Sequence, residues 1–130
     1  MKDFLNILFL IIPILSFSQW SDDFSDGDFT SNPAWNGTVN HFVVNPTSQL
    51  QTDTTATTIS YLSTPHLLTD LTDKEWKFYA KMSFAGSASN YTRIYLTADN
   101  QNLISAMNGY YIQLGEALTT DAVRLFKLDN

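Results

Sequence analysis

The stretch Glu75-Trp-Lys-Phe-Tyr-Ala-Lys-Met-Ser-Phe84 carries the clearest alternation of apolar and polar residues in the chain. Successive side chains of a β-strand point to opposite faces of the sheet, so this period of two predicts a strand. The residues predicted to face the core are Trp76, Phe78, Ala80, Met82 and Phe84. The residues predicted on the other face are Lys77, Tyr79, Lys81 and Ser83.

Short segments of the same kind lie on both sides of this stretch. Towards the C-terminus they are residues 91–97, 109–114 and 122–128, and towards the N-terminus residues 41–44, 48–51 and 58–62. Asn, Pro, Gly and Thr separate them, and no long amphipathic helix interrupts the series. The spacing predicts an all-β antiparallel sandwich or barrel.

The first 18 residues have the composition of a secretion signal. A polar start that contains Lys2 precedes an apolar run over residues 7–15, and the small residues Ser16 and Ser18 follow it. The run is shorter than the roughly 20 apolar residues that a membrane-spanning helix needs. We therefore predict cleavage before Gln19, a secreted or cell-surface location, and no membrane insertion after cleavage.

Composition limits what the remaining chain can be. Removing residues 1–18 from the 130 leaves 112, which is enough for one domain over residues 19–130. The net charge is −6 and basic residues are not clustered, which excludes the electrostatic footprint of a nucleic-acid binder. The chain has no cysteine, so disulfides and thiolate metal sites are excluded.

The C-terminal sequence ends where a hairpin turn would begin. Leu128-Asp-Asn130 closes the last predicted strand with residues typical of such a turn, and no pairing strand follows in the sequence. A sheet stopped here would leave an open edge, which natural sheets normally avoid. We expect the sandwich to be incomplete at its C-terminus and the chain to be a fragment.

Aromatic and planar polar side chains on the outward faces of the predicted strands indicate a carbohydrate site. An aromatic ring can lie against the apolar face of a sugar ring, and planar polar groups can hydrogen-bond its hydroxyls. The predicted site residues are Tyr79, Arg93, Tyr95, Tyr111 and Gln113. They form one patch only if their three strands are neighbours, and the alternative is that they are cross-strand pairs that stabilise the sheet.

Acidic residues near the start of the predicted domain are the candidate metal ligands. Asp23, Asp26 and Asp28 lie in one loop around Gly27, and calcium takes six to eight oxygen ligands from carboxylates, carbonyls and water. The spacing does not match the twelve-residue calcium loop. Structural Ca²⁺ is one interpretation, and a turn in which aspartates cap backbone amides is the other.

The order of these segments resembles a known type of module. Residues 23–29, 33–37, 76–82, 90–96 and 109–115 are similar to the N-terminal module of large secreted proteins of Bacteroidetes-type bacteria, a concanavalin A-like or laminin-G-like jelly roll. The resemblance implies two antiparallel sheets, with sugars bound on a concave face or rim in those members that bind them. Relatives of this kind often continue into lamin-tail-like modules, which are not in this sequence.

No catalytic constellation accompanies the resemblance. A retaining glycosidase needs two carboxylates about 5 to 5.5 Å apart, and laminarinase-type members of the fold supply them from Glu-x-Asp-x-(x)-Glu. Glu75 and Glu116 are the only glutamates, and neither is followed two residues later by the aspartate that this pattern requires. We therefore predict a non-enzymatic module for carbohydrate binding or adhesion, with a polysaccharide or cell-surface glycan as partner. The alternatives are a structural or protein-interaction domain and a fragment of a glycoside hydrolase.

Overall fold

The computed structural model describes residues 20–66, 68, 70–116 and 122–130. The predicted signal peptide, residues 1–18, lies outside the described residues. Within them, no helix is long and apolar enough to cross a membrane.

The described residues form an all-β structure, as the sequence predicts. The strands are β1 (Asn36–Gly37), β2 (Phe42–Val44), β3 (Leu50–Thr52), β4 (Leu62–Ser63), β5 (Thr92–Ala98), β6 (Gly109–Leu114) and β7 (Val123–Leu128). A short 3₁₀ helix at Val39–His41 is the one helical element among these residues. The predicted strands at 91–97, 109–114 and 122–128 are confirmed almost residue for residue by β5, β6 and β7.

In the part of the chain that the structure describes, the strands pair antiparallel and form three separate sheets. β1 pairs with β4 and β2 pairs with β3, while β5, β6 and β7 form a three-stranded sheet with β6 in the centre. In the larger sheet Tyr95 lies opposite Tyr111, which lies opposite Phe126. An irregularity between Tyr95 and Thr97 shifts the register at the end of β5. A two-sheet jelly roll stays a prediction.

The hairpin loop between β5 and β6 is closed by Asp99 and Asn108. The Asn108 backbone amide donates to Asp99 Oδ1 and its side-chain amide donates to Asp99 Oδ2, both at 2.8 Å. These two bonds, the side-chain one first, lower the pKa of the Asp99 carboxyl. Gly109 follows at the start of β6, where a Cβ atom would collide with the Thr97 carbonyl oxygen. The loop and this glycine together hold β5 against β6 in one register.

The predicted strand at residues 75–84 is wrong. None of these residues belongs to a strand, and all except the half-buried Met82 are exposed. Phe84 is 60 % exposed and Tyr79 is 76 % exposed. Alternation predicts which side chains would lie on the same face of a strand. A strand also needs an adjacent strand whose backbone groups hydrogen-bond its amides and carbonyls. Among the described residues, no backbone hydrogen bond joins residues 75–84 to a neighbouring strand.

The segment instead crosses one face of the three-stranded sheet. Trp76 shares a hollow with Leu96 and Leu125, and Met82 shares another, of about 320 Å³, with Leu114 and Val123. Four of the five residues predicted to face the core therefore border the sheet, and Phe78 does not. They approach it as an irregular strap and not as a strand of a second sheet.

The N-terminal strands are shorter than their predictions. Residues 41–44 and 48–51 correspond to β2 and β3, whereas residues 58–62 retain only their last position, in β4. The deepest side chains of the described chain are Phe29, Met107 and Tyr111, at 9 %, 7 % and 5 % exposure. No large side chain in the described part is completely buried. Burial is therefore concentrated at a few points, of which Tyr111 is in the central strand.

Candidate functional site

One face of the three-stranded sheet gathers most of the predicted carbohydrate residues. Alternate residues of a strand share a face, and the observed register aligns those of β5, β6 and β7. We call this surface the arginine–aromatic face. Its members are Tyr91, Arg93, Tyr95, Tyr111, Gln113, Arg124 and Phe126.

An aromatic row crosses the middle of this face. The Tyr95 and Tyr111 ring centroids are 5.3 Å apart, and the Tyr111 and Phe126 centroids are 5.0 Å apart with their planes only 13° from parallel. Such pairs contribute roughly 0.5–1.5 kcal/mol each beyond area burial. The row therefore ties the three strands together.

Tyr111 lies on the same face as Arg93 and Tyr95, but its ring is buried there and not exposed as the sequence predicts. It is 5 % exposed, because Tyr95 and Phe126 flank its ring and the Arg93 guanidinium carbon lies 4.7 Å from its centroid. A ring covered in this way packs against its neighbours and is nearly closed to solvent. Tyr95 and Phe126 are half-buried.

A polar row runs beside the aromatic one. Arg93 Nε donates to Gln113 Oε1 at 3.0 Å, and Gln113 Nε2 donates to the Gly115 carbonyl oxygen at 3.1 Å. The Arg93 guanidinium also lies 4.8 Å from the ring centroid of Tyr91. Arg93 is therefore held by three side chains although it is exposed to solvent.

The second arginine of the face is neutralised. Arg124 Nε lies 2.6 Å from Glu116 Oε1, with the glutamate side chain 18 % exposed and the arginine side chain 58 % exposed. The two arginines share a row, because Arg93 is opposite Gln113 and Gln113 is opposite Arg124. Among the described residues, Arg124 has a carboxylate partner and Arg93 has none.

Tyr79 lies apart from this group. It belongs to the strap, and its neighbours Trp76 and Ala80 line hollows on the opposite side of the sheet. The structure thus brings Arg93, Tyr95, Tyr111 and Gln113 together and leaves Tyr79 elsewhere. The reason is the missing strand, because the predicted position of Tyr79 depended on it.

Sequence reasoning missed Tyr91, Arg124, Glu116 and Phe126 as parts of this surface. Tyr91 carried a usable signal, since it stands two residues before Arg93 in the same alternation. Arg124 and Phe126 needed the register of β7 against β6, which the sequence does not provide. Glu116 lies beyond the end of β6, so no strand pattern places it.

The candidate metal ligands are engaged with their own loop. Asp23 Oδ1 accepts a hydrogen bond from the Ser25 amide, and Asp26 Oδ1 accepts one from the Asp28 amide, both at 3.0 Å. The bonds from Ser25 lower the pKa of the Asp23 carboxyl. These are the contacts of carboxylates that cap backbone amides.

Asp28 is the most heavily bonded of the three. Its Oδ2 accepts from the Ser31 hydroxyl, and its Oδ1 accepts from the Thr30 amide at 2.7 Å and from the Thr30 hydroxyl. The pKa of Asp28 falls well below its ordinary value, with the Ser31 bond as the largest cause. In the described chain no three acidic or histidine side chains gather as a metal site. The carboxylates fit the capping interpretation, and structural calcium stays a prediction.

The neighbouring aromatic residues anchor the same loop. Trp35 Nε1 donates to Asp22 Oδ2 at 2.8 Å, and the Trp20 ring meets the Trp35 ring edge-on with centroids 5.5 Å apart. Hydrogen bonds and ring packing therefore tie this loop together.

The chain stands apart in comparisons with known proteins. No protein-family model, curated protein or solved structure matches it.

Proposed function

We propose that this chain is a secreted or cell-surface, non-catalytic β-sandwich module that binds carbohydrate through the arginine–aromatic face. The observation that carries the proposal is the contact of Arg93 with Gln113 beside the rings of Tyr91 and Tyr111. Two planar polar groups are fixed next to aromatic surface, which is the combination that sugar rings and their hydroxyls require.

Each member of the face has a part in this proposal. Tyr91, 38 % exposed, and the half-buried Tyr95 are the rings open to a sugar. Arg93 and Gln113 supply the hydrogen bonds, and the covered Tyr111 ring supports both rows from below. Side chains held in place lose less conformational entropy on binding than free ones, which favours affinity.

A polysaccharide pull-down with point variants tests the proposal. Tyr91→Ala and Arg93→Ala are expected to weaken retention by about tenfold each, the effect of roughly 1.4 kcal/mol of lost contact. Tyr79→Ala is the matched control, because it removes an equally large and more exposed ring from the strap. It is expected to bind as the unmodified chain does.

Retention that survives both Tyr91→Ala and Arg93→Ala would remove this face from the proposal. Loss of retention in Tyr79→Ala alone would move the site to the opposite side of the sheet. Circular dichroism of each variant separates lost binding from lost folding.

The second candidate is a protein-interaction domain, and one observation favours it. Val123 and Leu125 are 66 % and 63 % exposed on β7, which is an edge strand among the described residues. Apolar side chains on an open edge are typical of surfaces that pair with another chain. This function predicts no retention on any polysaccharide, together with self-association or partner binding that Leu125→Lys abolishes.

A further inference from the structure

The two arginines of the arginine–aromatic face are in different electrostatic states. Arg124 forms an ion pair with Glu116, whereas Arg93 takes part in none of the ion pairs formed by the described residues. Its partners there are the neutral Gln113 amide and the rings of Tyr91 and Tyr111. An exposed cation is thus oriented without being neutralised, in a chain whose net charge is −6.

The orientation leaves a defined part of the guanidinium free for a ligand. Arg93 Nε is used by Gln113 Oε1 at 3.0 Å, and two rings lie 4.7 Å and 4.8 Å from the guanidinium carbon. The remaining donors are the two terminal NH₂ groups, which form a planar fork. Such a fork matches the two oxygens of a carboxylate and gives paired, charge-assisted hydrogen bonds.

We propose that Arg93 binds the carboxylate of an acidic polysaccharide, so that the ligands of this face are uronic-acid polymers. This inference rests on the proposed carbohydrate function and names its substrate class. Tyr91 is the ring beside the fork on which the uronate pyranose lies. An exposed arginine normally keeps its rotamer freedom. The Arg93 guanidinium contacts three side chains and no carboxylate of the described residues, so part of the ordering cost of binding is met before a ligand arrives.

The affinity of the chain for a set of matched polymers, measured by retention and by calorimetry, tests this specificity. The probes are polygalacturonate, its fully methyl-esterified form, dextran sulfate and poly-L-glutamate. The esterified polymer keeps the sugar backbone and removes the charge, whereas poly-L-glutamate keeps carboxylates and removes the sugar. At about 0.15 M salt, charges more than about 8 Å apart are largely screened, so the direct contact dominates.

The proposal expects polygalacturonate to bind at least about tenfold more tightly than each of the other three polymers. Arg93→Gln removes the charge and is expected to lose about tenfold in affinity for polygalacturonate alone. Arg93→Lys keeps the charge without the fork and is expected to recover only part of that loss. Lys127→Gln is the control, since it removes one positive charge from β7 on the other side of the same sheet.

The outcomes separate the two proposals. Equal binding of polygalacturonate and its ester, with both reduced by Arg93→Gln, overturns the carboxylate assignment and leaves carbohydrate binding standing. Preference for dextran sulfate or for poly-L-glutamate overturns the uronate class. Absence of binding to every polysaccharide overturns the proposed function itself.

A measurement on the unmodified chain covers the case in which an Arg93 variant fails to fold. Free galacturonate is expected to displace the chain from polygalacturonate at a concentration at least about tenfold lower than free galactose. Equal displacement by the two monosaccharides would contradict the role of the carboxylate.

Discussion

The two faces of the three-stranded sheet are organised in different ways. On the arginine–aromatic face, side chains from β5, β6 and β7 contact one another, and Tyr111 at its centre is 5 % exposed. On the opposite face, the irregular strap of residues 75–84 leaves open hollows between itself and β5, β6 and β7. Val123 and Leu125 of that face remain more than half exposed. One face is held by contacts within the sheet, and the other depends on a segment without strand pairing.

The two faces therefore differ in their resistance to local opening and in how much apolar surface they leave uncovered. Contacts between three strands resist local opening, whereas a strap with few buried contacts opens at low cost. A binding surface on the first face therefore has fixed geometry, as carbohydrate recognition requires. The second face retains apolar area that another surface would have to cover, as in the protein-interaction alternative.

Removing the ring at the centre of the arginine–aromatic face tests whether the two faces differ in stability. Tyr111→Ala is expected to lower the free energy of unfolding by about 3 kcal/mol, because it deletes a buried aromatic ring and two ring pairs. Urea denaturation measures this loss. Tyr79→Ala, on the strap, is expected to change it by less than about 0.5 kcal/mol. Similar losses in the two variants would mean that the faces do not differ.

Two adjacent residues of β7 allow a finer comparison, since they point to opposite faces. Phe126→Ala removes the ring stacked on Tyr111 and is expected to cost about 2 kcal/mol. Leu125→Ala, from a side chain that is 63 % exposed, is expected to cost about 0.5 kcal/mol or less. The same denaturation experiment measures both. A larger cost for Leu125→Ala would show that the strap side carries the stability.

The smallest change in stability is expected for the loop between β5 and β6, which fixes the register of these two strands. The Asp99 carboxyl has a pKa below its ordinary 3.8, so its contribution to stability is present above that pH and is lost as the pH falls further. Asp99→Asn is expected to lower the melting temperature at pH 7 and to make its decline between pH 5 and pH 3 shallower. A decline as steep as that of the unmodified chain would exclude Asp99 as a source of acid sensitivity.

Parts of this fold follow directly from local patterns. The alternation in residues 109–114 and the glycine before it give β6 its bounds, because a central strand needs apolar residues on both sides and a sharp entry. The same pattern in residues 75–84 predicts a strand that the structure does not contain. Local periodicity therefore does not separate the two segments, and the difference is whether another strand lies alongside to take the backbone hydrogen bonds.

In the candidate site, too, some features follow from the pattern of a single strand and others from the pairing of strands. Arg93 and Tyr95 could be assigned to one side from their own strand, and Gln113 with Tyr111 from theirs. The contact between the β5 pair and the β6 pair depends on the strand register, which Asp99, Asn108 and Gly109 fix. The burial of Tyr111 depends on Phe126, which belongs to a third strand and stacks on the Tyr111 ring.

The sequence by itself determined the all-β class, the three C-terminal strands and which residues of each strand share a side, because these depend on the period of two. The folded structure was needed to show which strands are neighbours and that Tyr79 lies elsewhere. It was also needed to show that, among the described residues, Arg124 pairs with Glu116 while Arg93 has no carboxylate partner. Strand pairing joins residues far apart in the chain, and its register is set by turn geometry and packing that no local pattern encodes.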